Sequence, residues 1–223
     1  MPAFQGLWPR WRQAVTVAAF RGVLCFGAGR GRNVTYRRPA ACPPVETGAA
    51  VEHLVGAYLR AYGPGTPEGF APWVGAPLPW ARRAFERYAG NQVLFEGVPA
   101  WLAHGDAVVS GVPPSGVRLL PYFDAYVVGA RPRSLLYPGG AAARALTPSG
   151  QAGNYPVLLV DGVVAGVWHS RRSGKRVAIT VEPLRPLDRA HLAALDEAVA
   201  RLGQVVEAAP TLTIGSVSCG PHA

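Results

Sequence analysis

The chain has 223 residues, of which 49% are hydrophobic and only 16% charged. That balance excludes a disordered basic tail, which needs low hydrophobicity, and the length allows one large domain or two small ones. Basic residues number 22 against 13 acidic, a net charge of +9 carried almost wholly by arginine because Lys175 is the only lysine; an anionic partner is the expectation.

Residues 9–21 read as a helix, with Trp11, Val15, Ala18 and Ala19 on one stripe and Gly22 placed to end it. Val23 to Phe26 is a short strand, Gly27 to Gly31 a glycine-broken turn, and Val34 to Tyr36 the return strand. Gly27-Ala28-Gly29-Arg30-Gly31 has the look of a phosphate loop, but no Lys-Ser/Thr follows, so it reads as a wing turn. Helix, strand, turn and strand form the second half of a winged helix. Its first two helices have no residues to build them, so the chain is expected to start inside such a unit.

Pro39 to Pro44 marks a boundary. Val51, Leu54, Val55, Tyr58 and Leu59 then make a helical stripe ending near Gly63. Thr66-Pro67-Glu68 opens a second helix with an N-cap and a proline at the first turn; it stops at Gly75. Residues 77–88 form a third, with Ala81, Ala84 and Phe85 inward and Arg82, Arg83 and Arg87 outward. A hairpin over residues 93–103 follows. Three helices and a hairpin make a complete winged helix, whose last helix is the one such folds lay against DNA.

Beyond Val108 the pattern turns to strands: Val117 to Leu120, Ala125 to Val128, Val157 to Val160, Val163 to His169 and Val177 to Val181. Asp161-Gly162 and Ser173-Gly174 supply turns, so residues 156–182 read as a three-strand meander. Residues 138–154 read as a loop. Leu187 to Leu202 is an amphipathic helix with Leu192, Leu195, Val199 and Leu202 inward. Thr211 to Ile214 is a last strand, and the tail from Ser216 is expected to be loose.

Candidate binding residues fall in patches on turns and one helix face: Arg30 and Arg32 at the first wing, Arg82, Arg83 and Arg87 on the third helix, Arg131 and Arg133 after residue 125, and Arg171, Arg172, Lys175 and Arg176 at a hairpin tip. Guanidinium groups so displayed suit the tracking of phosphates; a solvated arginine surface is the other reading. Trp168 and Tyr36 stand beside such patches, as stacking groups or as packing anchors. For catalysis the list is short. Asp124, after an apolar run, is either a buried hydrogen-bond acceptor or a carboxylate facing a ligand. Cys25, Cys42 and Cys219 are odd in number, and neither they nor His53, His104, His191 and His222 show metal-ligand spacing. No metal is expected. No apolar run approaches the roughly 20 residues of a membrane span, because Arg21 interrupts Ala14 to Phe26. The cysteine usage and the lack of a cleavable leader give a cytoplasmic expectation, with no membrane partner.

Residues 20–27, Phe-Arg-Gly-Val-Leu-Cys-Phe-Gly, followed by Arg30-Gly31-Arg32-Asn33-Val34-Thr35-Tyr36, resemble the winged helix DNA-binding domain family of AlkZ/YcaQ-like proteins. Thr66 to Gly75 is similar to its threonine-to-tryptophan-glycine segment. Leu119-Leu120-Pro121-Tyr122-Phe123-Asp124-Ala125-Tyr126-Val127-Val128-Gly129, with Arg131 and Arg133-Ser134, resembles its most recognisable signature, which Val157 to Gly162, Gly166 and Trp168 continue. The resemblance implies an α+β fold of tandem winged helices and a β-barrel-like domain. Here that means a partial winged helix over 1–40, a complete one over 45–105, and a β-rich, barrel-like domain with a C-terminal helix over 106–223. It implies DNA glycosylase chemistry on bulky alkylated bases or interstrand crosslinks, often for self-resistance to DNA-alkylating natural products, with no metal or organic cofactor. The family's catalytic residues lie in a glutamine-x-glutamine or glutamine-x-aspartate motif. Gln5, Gln13, Gln92, Gln151 and Gln204 never stand two apart, so no catalytic residue carries over and Asp124 remains the candidate. Three readings follow: a protein that binds double-stranded DNA, alkylated or not, without catalysis of its own; a shortened glycosylase; and a small-molecule-binding or biosynthetic protein on the same scaffold.

Overall fold

The computed structural model describes the chain apart from residues 1, 4–5, 8–10, 32, 42, 108–110, 154 and 220–223, with backbone alone at 2–3, 6–7 and 12. The features read above at Gln5, Pro9, Arg32, Cys42, Val108 and His222 lie outside the described residues. The chain divides into two compact units, residues 1–50 and 51–223.

In the first unit, β1 (Pro2–Ala3) pairs with β2 (Gly6–Leu7), α1 spans Trp11–Phe20, and β3 (Cys25–Phe26) pairs antiparallel with β4 (Tyr36–Arg37). Gly22 ends α1 as expected: its φ of +68° suits glycine, and its N–H reaches the Ala19 carbonyl. The expected buried stripe is only partly realised. Val15 and Ala18 are half-buried, whereas Trp11 and Ala19 are exposed. Among the described residues, a ten-residue helix beside a hairpin of two-residue strands has no second layer within the unit to cover that stripe.

The second unit opens with three helices: α2 (Thr47–Tyr62, its first turn counted with the first unit), α3 (Pro67–Val74) and α4 (Leu78–Tyr88). Thr66 caps α3 by accepting the Gly69 N–H, and Gly75 ends it in the left-handed conformation. Tyr58 is the hub of this core, with the rings of Tyr62, Phe70, Trp73 and Phe85 all 5.3–6.3 Å away. The hairpin β5 (Gln92–Phe95) and β6 (Val98–Trp101) follows α4.

The remaining strands are β7 (Val117–Leu120), β8 (Val157–Val160), β9 (Val163–Ser173), β10 (Arg176–Pro183) and β11 (Ala209–Ile214), in the sheet order β11-β10-β9-β8-β7. Only β10 and β11 run parallel; α8 (Arg189–Val205) makes the crossover that a parallel neighbour requires. Among the described residues this is an open sheet, not the barrel-like closure expected. Three short helices, α5 (Ala125–Gly129), α6 (Arg133–Leu136) and α7 (Ala141–Ala145), pack on one face, and α8 packs on the other.

A bulge in β9 decides which residue meets which layer. Leu159 pairs with Val164 and Leu158 with Gly166, so Ala165 has no partner. Val164 and Val167 therefore share the face under α5–α7, and Ala165 and Trp168 share the face under α8. Gly166 belongs here because a Cβ would collide with the Glu182 carbonyl.

Four expectations need correction. Ala125 to Val128 is helix, not strand: Phe123 turns the chain at φ +55°, and Asp124 then caps the Tyr126 N–H at 2.9 Å. Residues 138–154 contain α7, whose buried Ala141 and Ala145 are too small to print a periodicity. Leu192 is exposed, because α8 turns Leu195 and Val199 to the sheet. The described start of the tail is held: Arg144 makes a two-pronged pair with Glu182 (2.8 and 2.9 Å) and reaches the Val217 carbonyl, while the Val217 N–H donates to Glu182. The Arg144 hydrogen bonds hold the Glu182 carboxyl below its ordinary range, against the upward push of burial.

Candidate nucleic-acid interface

The basic residues singled out by sequence stand in four settings. Arg30 is exposed in the first unit, where its backbone bridges to Asn33; Arg32 lies outside the described residues. Arg82, Arg83 and Arg87 are exposed on α4, opposite the buried Ala81, Ala84 and Phe85. Arg82 is not free, since its guanidinium contacts Glu68 at 2.9 Å. Arg87 lies over the Tyr88 ring at 5.4 Å.

Arg131 and Arg133 converge on the C-terminal end of α5. Arg131 donates to the Val128 and Ala130 carbonyls, and Arg133 to those of Val127 and Val128. They thus satisfy carbonyls that the short helix leaves without partners. Burial, and then the neighbouring Arg131 charge, pulls the Arg133 guanidinium below its ordinary pKa. On α5 itself Gly129 is required, because a Cβ would strike the Tyr62 ring. Arg131 also lines a cavity of about 270 Å³ with Tyr58, Glu68, Gly69 and Pro132. Burial pushes the Tyr58 phenol there up to about 12, which keeps it neutral and able to donate.

Arg171, Arg172, Lys175 and Arg176 are brought together at the β9–β10 turn, all exposed. Among the described residues no carboxylate pairs with any of them; the Arg172 Nε donates to the Gly174 carbonyl. Among the described residues the outer edge of β9 has no strand partner beyond Val167, and the arginines also discourage a further strand from adding there.

Asp124 is committed to capping α5. Trp168 is 6% exposed and its indole donates to the Leu120 carbonyl, so it is a packing anchor. Tyr36 is 41% exposed and stacked on Phe26 at 5.6 Å. Sequence reading missed one polar cluster. The His191 ring lies 3.0 Å from both Asp161 and Asp188, and Asp161 also accepts the Gly116 N–H. It ties the β8–β9 turn to the start of α8. Spacings of 30 and 3 residues gave no signal for it. Among the described residues no cluster could hold a metal ion, and no helix is long and apolar enough to cross a membrane.

The sequence model of the AlkZ-like DNA glycosylases matches residues 3–205. The chain is 32% identical over 178 residues to an interstrand DNA cross-link repair glycosylase of Streptomyces sahachiroi, an alignment spanning 71% of this chain but only 46% of that protein. The solved structure of the Streptomyces sahachiroi DNA glycosylase AlkZ is similar with a TM-score of 0.70 at 28% identity, covering 92% of this chain and 58% of the other.

Proposed function

The chain belongs to the AlkZ-like DNA glycosylase family, and on that premise we propose that it binds duplex DNA while base excision is not carried by its own residues. The observation that carries this reading is the β9–β10 tip, where four cations share one turn and, among the described residues, have no carboxylate partner. A duplex presents a closely spaced row of phosphates, and neutralising them releases counterions. α2–α4 with the β5–β6 hairpin is read as a complete winged helix over 45–105. α1 with β3–β4 is read as the helix and wing of a partial one over 1–40. The rest of the chain, 106–223, is then the sheet domain. α4 would be the groove helix and the tip a second clamp. The relative's name supports duplex carrying an interstrand cross-link as the DNA concerned; alkylated duplex and a cytoplasmic setting belong to the same reading. The cavity beside Arg131 is where a small ligand would sit if the scaffold served one.

Excision needs a water or carboxylate held at the anomeric carbon of the sugar. Asp124 is committed to its cap, and no two glutamines stand two apart. The direct test is fluorescence anisotropy of a labelled duplex titrated with the full chain across a salt series. Contacts to about five to eight phosphates give a slope of log K against log salt of roughly −4 to −7. A flat response, or no binding in about 50 mM salt, overturns the reading.

A further inference from the structure

Among the described residues the sheet is covered unevenly, and the bare part has a distinct chemistry. On the face under α5–α7, Val157, Leu159, Val164 and Val167 are buried. The same face continues across β10 and β11, where Ala178, Thr211 and Thr213 are exposed and Thr180 is partly so. The register sets these residues in rows. His169 lies opposite Thr180, which lies opposite Thr213; Arg171 lies opposite Ala178, which lies opposite Thr211. Arg176 occupies the next row toward the turn, opposite Ser173. Glu182 is the one carboxylate that β9–β11 place on this face, and Arg144 holds it in a two-pronged pair.

Resting on the duplex-binding reading, we infer that this bare face of β9–β11 is the surface on which one DNA strand's phosphodiester backbone lies. Three properties select that occupant. Apart from the small Ala178 and Ala209, the exposed side chains that β9–β11 place there are polar, which disfavours a protein partner needing a hydrophobic centre. The face is cationic at Arg171 and Arg176, complementary to phosphate. Its threonine hydroxyls are short donors on a rigid sheet, of the kind that fix a backbone without reading bases. Pleat alternation then divides the basic tip. Arg171 and Arg176 stand on the docking face, while Arg172, paired with the buried Val177, stands on the α8 face.

The experiment is duplex anisotropy on the full chain at about 50 mM salt. The double variant Thr211→Glu with Thr213→Glu weakens binding about tenfold or more, and Arg171→Ala weakens it about fivefold with a salt slope shallower by about one. Arg201→Ala, a charge removed from the exposed side of α8, changes binding less than about twofold. Should the double variant fail to fold by circular dichroism, Thr211→Arg gives the opposite sign and tightens binding about threefold, whereas Ala200→Arg, the same charge added to the exposed side of α8, does not. Equal effects of Arg171→Ala and Arg201→Ala, or equal tightening by the two added arginines, overturn the docking face. If the wild-type chain binds duplex yet the threonine variants bind equally well, this inference alone fails; if the wild-type chain does not bind, the reading beneath it fails.

Discussion

Two arginine patches in the same unit differ in how much of their charge is available. On α4, Arg82 is matched by Glu68 and Arg87 leans on the Tyr88 ring. At the β9–β10 turn, Arg171, Lys175 and Arg176 have no acidic partner among the described residues. Glu68 illustrates the trade: partial burial is the largest single influence and raises its pKa, but the Arg82 hydrogen bonds and charge, together with hydrogen bonds from its own backbone and from Thr66, outweigh that and hold it below its ordinary range. A count of arginines treats the two patches alike, whereas phosphate binding responds to charge not already neutralised.

The sharpest test of that contrast is to empty the tip. Replacing Arg171, Lys175 and Arg176 together by alanine is expected to weaken duplex binding by about 100-fold at about 50 mM salt and to make the salt slope shallower by about 2 to 3. Anisotropy titrations of the folded variant measure both. A loss smaller than that from removing Arg82, Arg83 and Arg87 together would reverse the ranking of the two patches.

A smaller effect is expected on α4, and it has an unusual sign. Glu68→Gln removes the partner and leaves Arg82 available, so duplex binding should tighten about two- to threefold, while Arg82→Ala in the wild-type background costs only about twofold. Both side chains are more than half exposed, so thermal stability should change by less than about 1 kcal/mol. Glu68→Gln that weakens binding would mean the carboxylate orients Arg82 toward the duplex, and the contrast with the tip would collapse.

How much of this was legible in the sequence depends on the range of the interactions. Thr66-Pro67 and Gly75 mark the ends of α3 through local hydrogen bonds, and the structure keeps both. The Asp161-Gly162 turn is likewise local, with φ of +50° and +82°. The tip cluster was readable because its four cations lie within six positions along the chain. By contrast, the uncovered face of β9–β11 needs the parallel pairing of β10 with β11, a contact formed across the whole of α8. The roles of Arg131 and Arg133 were hidden for a related reason. Ala125-Tyr126-Val127-Val128 carries strand propensity, but the Asp124 cap and tertiary packing make it helix, and only then are there carbonyls for the arginines to hold. The Glu68–Arg82 pair spans 14 residues and left no trace in either helix's own pattern.

The smallest expected effect concerns Asp124. On the sheet side of the molecule it stands in the most recognisable stretch of the chain, at the position where sequence reading leaves both a structural and a catalytic role open. Its Oδ1 accepts the Tyr126 N–H at 2.9 Å, and its backbone enters α5. Asparagine caps a helix about as well as aspartate, so Asp124→Asn should shift stability by only ~0–0.5 kcal/mol, whereas Asp124→Ala should cost ~1 kcal/mol. A catalytic carboxylate would behave differently, because the amide keeps the acceptor oxygen but can neither take a proton from water nor offset positive charge developing on the sugar. Incubating excess protein with alkylated or crosslinked duplex, followed by alkali and gel electrophoresis, reports any abasic sites. The expected result is no alkali-labile product from the wild-type chain or from Asp124→Asn. Product made by the wild-type chain and lost in Asp124→Asn, with folding and duplex binding unchanged, would make the carboxylate catalytic and transfer the excision chemistry to this chain.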